Sequence, residues 1–166
     1  MLSEVTYTKM CQLLRECFNM NAEADNLAYN LDYHYYNEIG ALYHHSYAHV
    51  FPAWADLISD FLLTKNNRPV RLPLDGFSEN YDSLEGMFAD NVTMIEKFQK
   101  LCYEVIDIAD INGDIEAKIF LEDFVANTVR LYVKQAYEWF EASKHVGADQ
   151  MNFHIRQYTH FIPVVD

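Results

Sequence analysis

Apolar residues recur along this chain at three- and four-residue steps in four long stretches, each the signature of an amphipathic helix. Met10, Leu13, Leu14, Cys17 and Phe18 mark the first, and Leu27, Leu31, His34 and Tyr35 carry it on less evenly. A helix from about Ser3 to Tyr36 follows, with Ser3 as N-cap and Glu4 in its first turn. The polar run Asn37-Glu-Ile-Gly40 reads as a turn, Gly40 supplying positive φ. The second helix is expected from about Ala41 to Lys65. Pro52 in its interior removes a hydrogen bond and predicts a kink. Asn66-Asn67 and Pro69 end it. Leu84, Phe88, Val92, Ile95, Phe98, Leu101 and Val105 predict a third helix over about Ser83–Ala109. Asp110-Ile-Asn-Gly-Asp114 is a turn, with Asp114 capping a fourth helix from about Ile115 to Ser143 that His145-Val-Gly147 closes.

Short, long and short connections between four such helices describe an all-α protein, an up-down four-helix bundle with one long crossover between helices 2 and 3. The crossover is the Pro-containing segment RPVRLPLDGFSENYD. Residues 1–147 are assigned to the bundle. Residues 148–166 are assigned to an aromatic C-terminal tail packed on the bundle or on a subunit interface. With 51% hydrophobic residues but only 5 Gly and 4 Pro in 166 residues, a compact, turn-poor domain fits this pattern.

A net charge of −13 and the lack of a basic tail exclude nucleic acid as an electrostatic partner, and suit the attraction of cations. Cys11, Cys17 and Cys102 lack CxxC spacing and read as reduced core thiols of a cytoplasmic protein. No apolar run reaches the roughly 20 residues of a membrane span, and the N-terminus does not read as a signal peptide.

The chemistry concentrates between Gly40 and Pro69, where His44, His45, His49, Asp56 and Asp60 share one expected helix. At about 100° per residue, His45, His49, Asp56 and Asp60 fall within roughly 60° of one another, a single stripe of metal ligands. The eleven residues from His45 to Asp56 span roughly 16 Å, too far for one ion. Two such helices crossing antiparallel on a two-fold axis bring His45 of one subunit to Asp56 of the other. Carboxylate and imidazole donors suit iron, with zinc or another divalent metal as the alternative. The DINGD turn places its glycine wrongly for an EF-hand. Asp107, Asp110, Asp114 and Glu116 gather acid at one bundle end, where capping and solvation account for them.

The segment Asp56-Leu-Ile-Ser-Asp60-Phe-Leu-Leu-Thr-Lys-Asn-Asn-Arg-Pro69 resembles the DxxxERLLxxGGxP end of the second helix in Dps-like mini-ferritins. His34-Tyr-Tyr-Asn-Glu-Ile-Gly40 is similar to the HWxxxG that ends that family's first helix, with one extra residue. The resemblance implies a ferritin-like bundle assembled into a hollow homo-oligomer, a dodecamer built from two-fold dimers. It implies Fe(II) oxidation at sites shared between subunits and storage or detoxification of the iron inside. Carried over by position, Asp56 and Asp60 match carboxylate ligands and His34 matches the histidine ending the first helix. His45 stands where the family has aspartate, and Ala41 where it has a second histidine. No Glu-x-x-His occurs, so an intrabundle di-iron site is not expected. The alternative is a ferritin-fold oligomer with a degenerate iron site, acting as a structural, partner-binding or non-redox metal-binding protein.

Overall fold

The structure, a computed structural model, describes residues 1–145; the expected tail over 148–166 and the helix-closing Val146-Gly147 lie outside the described residues. Among the described residues, all regular structure is helical. Helix α1 (Glu4–Tyr33) is followed by α2 (Asn37–Tyr43), a π-helical turn (His44–Ala48) and α3 (Val50–Thr64). After the crossover come α4 (Leu84–Ile111), α5 (Ile115–Phe124), a second π-helical turn (Val125–Val129) and α6 (Arg130–His145). The two broken helices each make one arm, so the molecule is a four-helix bundle of two helical hairpins. In each hairpin an unbroken helix packs against a second arm interrupted by a π turn, and α1 also packs on α4.

The apolar stripes meet in one core. Its centre is aromatic: Tyr43, Tyr47, Phe51, Trp54, Phe88 and Trp139 are each at most 1% exposed. Trp54 stacks on Phe98 with ring centroids 5.6 Å apart, and Tyr47 meets Trp139 at 5.1 Å. The hydroxyls find partners: Tyr43 donates to Asn91 Oδ1 at 2.8 Å and Tyr47 to the Tyr132 carbonyl at 2.9 Å. All three cysteines are buried and unpaired.

The ends of the helices show which local signals decided the fold. Ser3 caps α1 as expected, its hydroxyl accepting from the Thr6 N–H. Asp114 precedes α5 but makes no side-chain cap there. Its carboxylate instead accepts from the Ser3 N–H at 3.1 Å and the Ser3 hydroxyl at 2.6 Å, tying the second hairpin to the start of the first. Ser83 caps α4, accepting from the Gly86 N–H at 3.0 Å. Beyond α3, Asn66 adopts φ 58°. The N–H groups of Asn66 and Asn67 return to the Leu63 and Leu62 carbonyls, a Schellman ending.

Two expectations about the first connection are corrected. α1 stops at Tyr33, and the left-handed residue of the turn is Tyr35, at φ 66°. Gly40 lies inside α2, where a Cβ would stand 2.5 Å from Asp32 Oδ1; its small size serves a close helix approach rather than a turn.

The crossover runs along α1 and is fastened at helical intervals. Tyr7 donates to the Arg68 carbonyl at 2.6 Å, and Arg15 donates to the Pro73 carbonyl at 2.7 Å while pairing with Asp75 at 3.0 Å. Asn19 Oδ1 accepts from the Asp75 N–H at 3.0 Å, and the amides of Asn26 and Asn30 both reach the Glu79 carbonyl at 3.1 Å. These polar residues interrupt the apolar pattern of α1 because irregular backbone must find its hydrogen bonds there.

Candidate metal centre

The expected kink at Pro52 takes a specific form. Pro52 occupies the first turn of α3, a position that tolerates a missing N–H. Four residues back, the Ala48 carbonyl is deprived of its α-helical partner. The backbone before it widens into the π turn, in which the His49 N–H donates to the His44 carbonyl at 3.2 Å, five residues away. The freed Ala48 carbonyl accepts instead from the Asn21 side-chain amide of α1 at 3.1 Å. Ser46 donates its hydroxyl to the Leu42 carbonyl one turn earlier.

This turn decides which histidines meet. In a regular helix, residues five apart point about 140° from each other. The wider π turn, closed by i→i+5 hydrogen bonds, brings them towards the same face. His44 and His49 accordingly bring their ring centroids to 4.4 Å. Asp25, on the facing side of α1, completes the group: one ligand atom from each of Asp25, His44 and His49 lies within 4.8 Å of the others. His44 Nε2 is 3.0 Å from Asp25 Oδ1, with side chains 30% and 27% exposed. Apart from this ion pair, the buried Asp25 oxygen has no hydrogen-bond partner among the described residues. Donor atoms about 3.0 Å apart are spaced as cis ligands on one ion with bonds of about 2.1 Å.

The surroundings favour a cation. Between Arg15 and Lys65 the chain has no lysine or arginine, and the anion acting on His49 is Asp25. Burial, followed by the neighbouring His44 and His45 rings, holds His49 below the ordinary histidine value of 6.5 against the opposite pull of Asp25. Its imidazole therefore keeps a free lone pair at neutral pH, the form a metal requires.

The residues singled out from the sequence are distributed as follows. His49 joins the group. His45 is exposed, with ring centroids 5.5 Å from His44 and 5.4 Å from His49. His34 caps the C-terminus of α1 and packs edge-on against Tyr33 at 5.3 Å. Nine residues beyond Asp25, it sits roughly 13 Å further along the helix. Asp56 and Asp60 are exposed on α3. Because the π turn takes up one extra residue, positions before and after it are offset by about 100° from regular-helix arithmetic, so the stripe from His45 to Asp56 is not continuous within one subunit.

Elsewhere, a cleft of about 700 Å³ between α1 and α4 is lined by Glu16, Glu23, Glu96 and Lys97 among others. There burial, then Asp90, pushes the Glu23 carboxyl up to about 7. In the bundle interior, the buried polar side chains among the described residues are Thr6, Asn19, Asn30, Ser46, Asn67, Asn91 and Gln135, none a carboxylate or imidazole.

No protein-family profile matches the sequence, and no curated protein matches it. Solved structures match closely in shape. An open-pore ferritin from the hyperthermophilic archaeon Archaeoglobus fulgidus superposes with a TM-score of 0.86 at 16% identity, over 96% of this chain and 98% of that one. A closed form of the A. fulgidus ferritin engineered by site-directed mutagenesis gives 0.86 at 16%, over 96% and 97%. A humanized archaeal ferritin gives 0.85 at 15%, over 96% of each chain. No helix among the described residues is long and apolar enough to cross a membrane. Two helical hairpins, one long crossover and this near-complete overlap together establish that the chain has the ferritin-like fold.

Proposed function

We propose that this protein binds Fe(II) at Asp25, His44 and His49 and stores or detoxifies iron as a ferritin-fold oligomer. The observation that carries the reading is the convergence of two imidazoles and a carboxylate oxygen that lacks a hydrogen bond among the described residues, at a π turn that regular helix geometry would not give. Two histidines and one carboxylate with further positions open is the donor set of non-haem Fe(II). Iron is here the cargo, and oxygen or peroxide is its oxidant. The fold shared with archaeal ferritins supports an iron role. Light scattering tests assembly, with a particle of about twelve chains expected from the two-fold-dimer reading.

Anaerobic titration tests the binding half: one Fe(II) per chain should bind, and Asp25→Asn or His49→Ala should remove it. Oxygen consumption after Fe(II) addition tests the redox half. Binding that survives both substitutions would discard this centre.

A second reading places the iron between subunits, with His34 and His45 of one subunit and Asp56 and Asp60 of its partner. The exposure of Asp56 and Asp60, one turn apart on α3, favours it. The pair Asp56→Ala and Asp60→Ala would then abolish Fe(II) uptake while Asp25→Asn spares it. Zinc or another divalent ion bound without redox turnover is distinguished by metal analysis of the purified protein.

A further inference from the structure

His45 has no role in the three-residue centre, yet its position is specific. An imidazole nitrogen bound at about 2.0–2.1 Å places the ring centroid about 3.2 Å from the ion. Two rings on one ion then stand about 4.5 Å apart at 90° and about 5.5 Å apart at 120°. The three centroid separations here are 4.4 Å for His44–His49, 5.4 Å for His45–His49 and 5.5 Å for His44–His45. All three fit three imidazoles around a common ion. Aromatic pairs also pack at such distances, but packing alone does not bring ligand atoms of Asp25, His44 and His49 together at one point. His45 is exposed, its described contacts are only these two rings, and its nitrogens lie outside the converged group. The ring is near enough in position and lacks only orientation, which rotation about its side-chain torsions supplies.

We propose that His45 is a recruited fourth ligand, turning inward when a divalent cation binds to Asp25, His44 and His49 and completing a His3Asp shell. This inference rests on the metal centre of the preceding subsection and extends it. His44 is half-buried against Asp25 and His45 stands on its solvent side, so the second ring closes over the ion from outside. A four-coordinate nitrogen and oxygen shell suits zinc and other tetrahedral cations, and closed shells hold metal whereas open ones turn over. His45 thereby sets whether the centre retains a metal or exposes it to an oxidant.

Co(II) titration of the full chain, followed by visible absorption, tests this. Bound Co(II) should give the intense bands of tetrahedral coordination in the parent protein. His45→Ala should give pale, higher-coordinate Co(II) bound at least about tenfold more weakly, given that even outer-sphere changes cost 10–100-fold. His45→Cys should restore intense absorption and add a thiolate-to-cobalt charge-transfer band, which a merely structural residue could not produce. As His45 is exposed, far-UV circular dichroism should be the same for all three. Pale Co(II) in the parent, unchanged by His45→Ala but lost in Asp25→Asn, would overturn the fourth-ligand role and leave the three-residue centre standing. Failure of the parent to bind Co(II), or loss of binding only in Asp56→Ala, would overturn both.

Discussion

The two π turns stand at matching places in the two hairpins and are built alike, yet only one gathers a cluster of potential metal ligands. In both, an N–H returns to the carbonyl five residues back, His49 to His44 and Arg130 to Val125. In both, a carbonyl released by the wide turn is taken up by a side chain: Ala48 by Asn21, and Ala126 by Arg130 Nε at 2.8 Å. The first turn presents His44 and His49 to Asp25. The second presents Val125 and Ala126 to an apolar groove shared with Tyr103 and Ile106 of α4. The wide turn is thus a device that stacks residues five apart, and the side chains it stacks decide what it does. π turns concentrate at functional sites for this reason, but one lined by valine and alanine is only a packing solution.

Substitutions at the two turns should separate sharply. Asp25→Asn or His49→Ala should weaken Fe(II) or Co(II) binding by more than about 100-fold, beyond the usual cost of an outer-sphere change. Asn127→Ala in the second turn should leave the isotherm unchanged. Equal losses at both turns would mean that metal binding reports general folding.

Pro52 tests whether the turn itself matters. Pro52→Ala restores an N–H that can return to Ala48 and draw the backbone towards a regular helix. Calorimetry should show affinity falling roughly tenfold, or about 1.4 kcal/mol, as His44 and His49 turn apart. Urea unfolding should show unchanged or higher stability, because proline is a poor helix residue. Unaltered affinity would show that the π turn persists without the proline.

The carbonyl acceptors offer a finer contrast. Asn21→Ala removes the donor to a carbonyl within the bundle and should cost about 1 kcal/mol. Arg130→Ala removes an exposed donor and should cost no more than about 0.5 kcal/mol. Urea midpoints measure both.

Smaller still is a pH effect at the hairpin junction. Burial alone would raise the Asp114 carboxyl, but hydrogen bonds from Ser3 and Thr6 outweigh it and hold the group below its ordinary value of 3.8. A carboxyl depressed in the folded state contributes stability that is fully present above its unfolded pKa and is lost as pH falls through the folded one. Asp114→Ala should therefore lower stability at neutral pH by up to about 1 kcal/mol and flatten its decline below pH 4. A parallel decline in both proteins would remove Asp114 from that role.

The four-helix architecture was legible because each signal was local: three- and four-residue apolar steps, Ser3 as a cap, Asn66-Asn67 as a stop, one long polar connection. Asp114 stands at the N-cap position of α5 as expected, but its carboxylate is bonded to Ser3, a partner too far away in sequence to be foreseen. The candidate metal group was half legible. His49 was placed in the ligand stripe and His44 was named in the same stretch, but 100° arithmetic grouped His49 with His45, Asp56 and Asp60 rather than with His44. Asp25 was not singled out, because a lone aspartate on another helix looks like solvated surface. Pro52 carried the missing signal. A proline in the first turn of α3 forces irregular backbone before it, where His44 and His45 stand.

Anomalous scattering at the iron edge, from crystals loaded anaerobically with Fe(II), tests the central claim most directly. The account predicts a peak within each subunit, bound by Asp25, His44 and His49. A peak between Asp56 and Asp60 of one subunit and histidines of its neighbour, with nothing at Asp25, would contradict it.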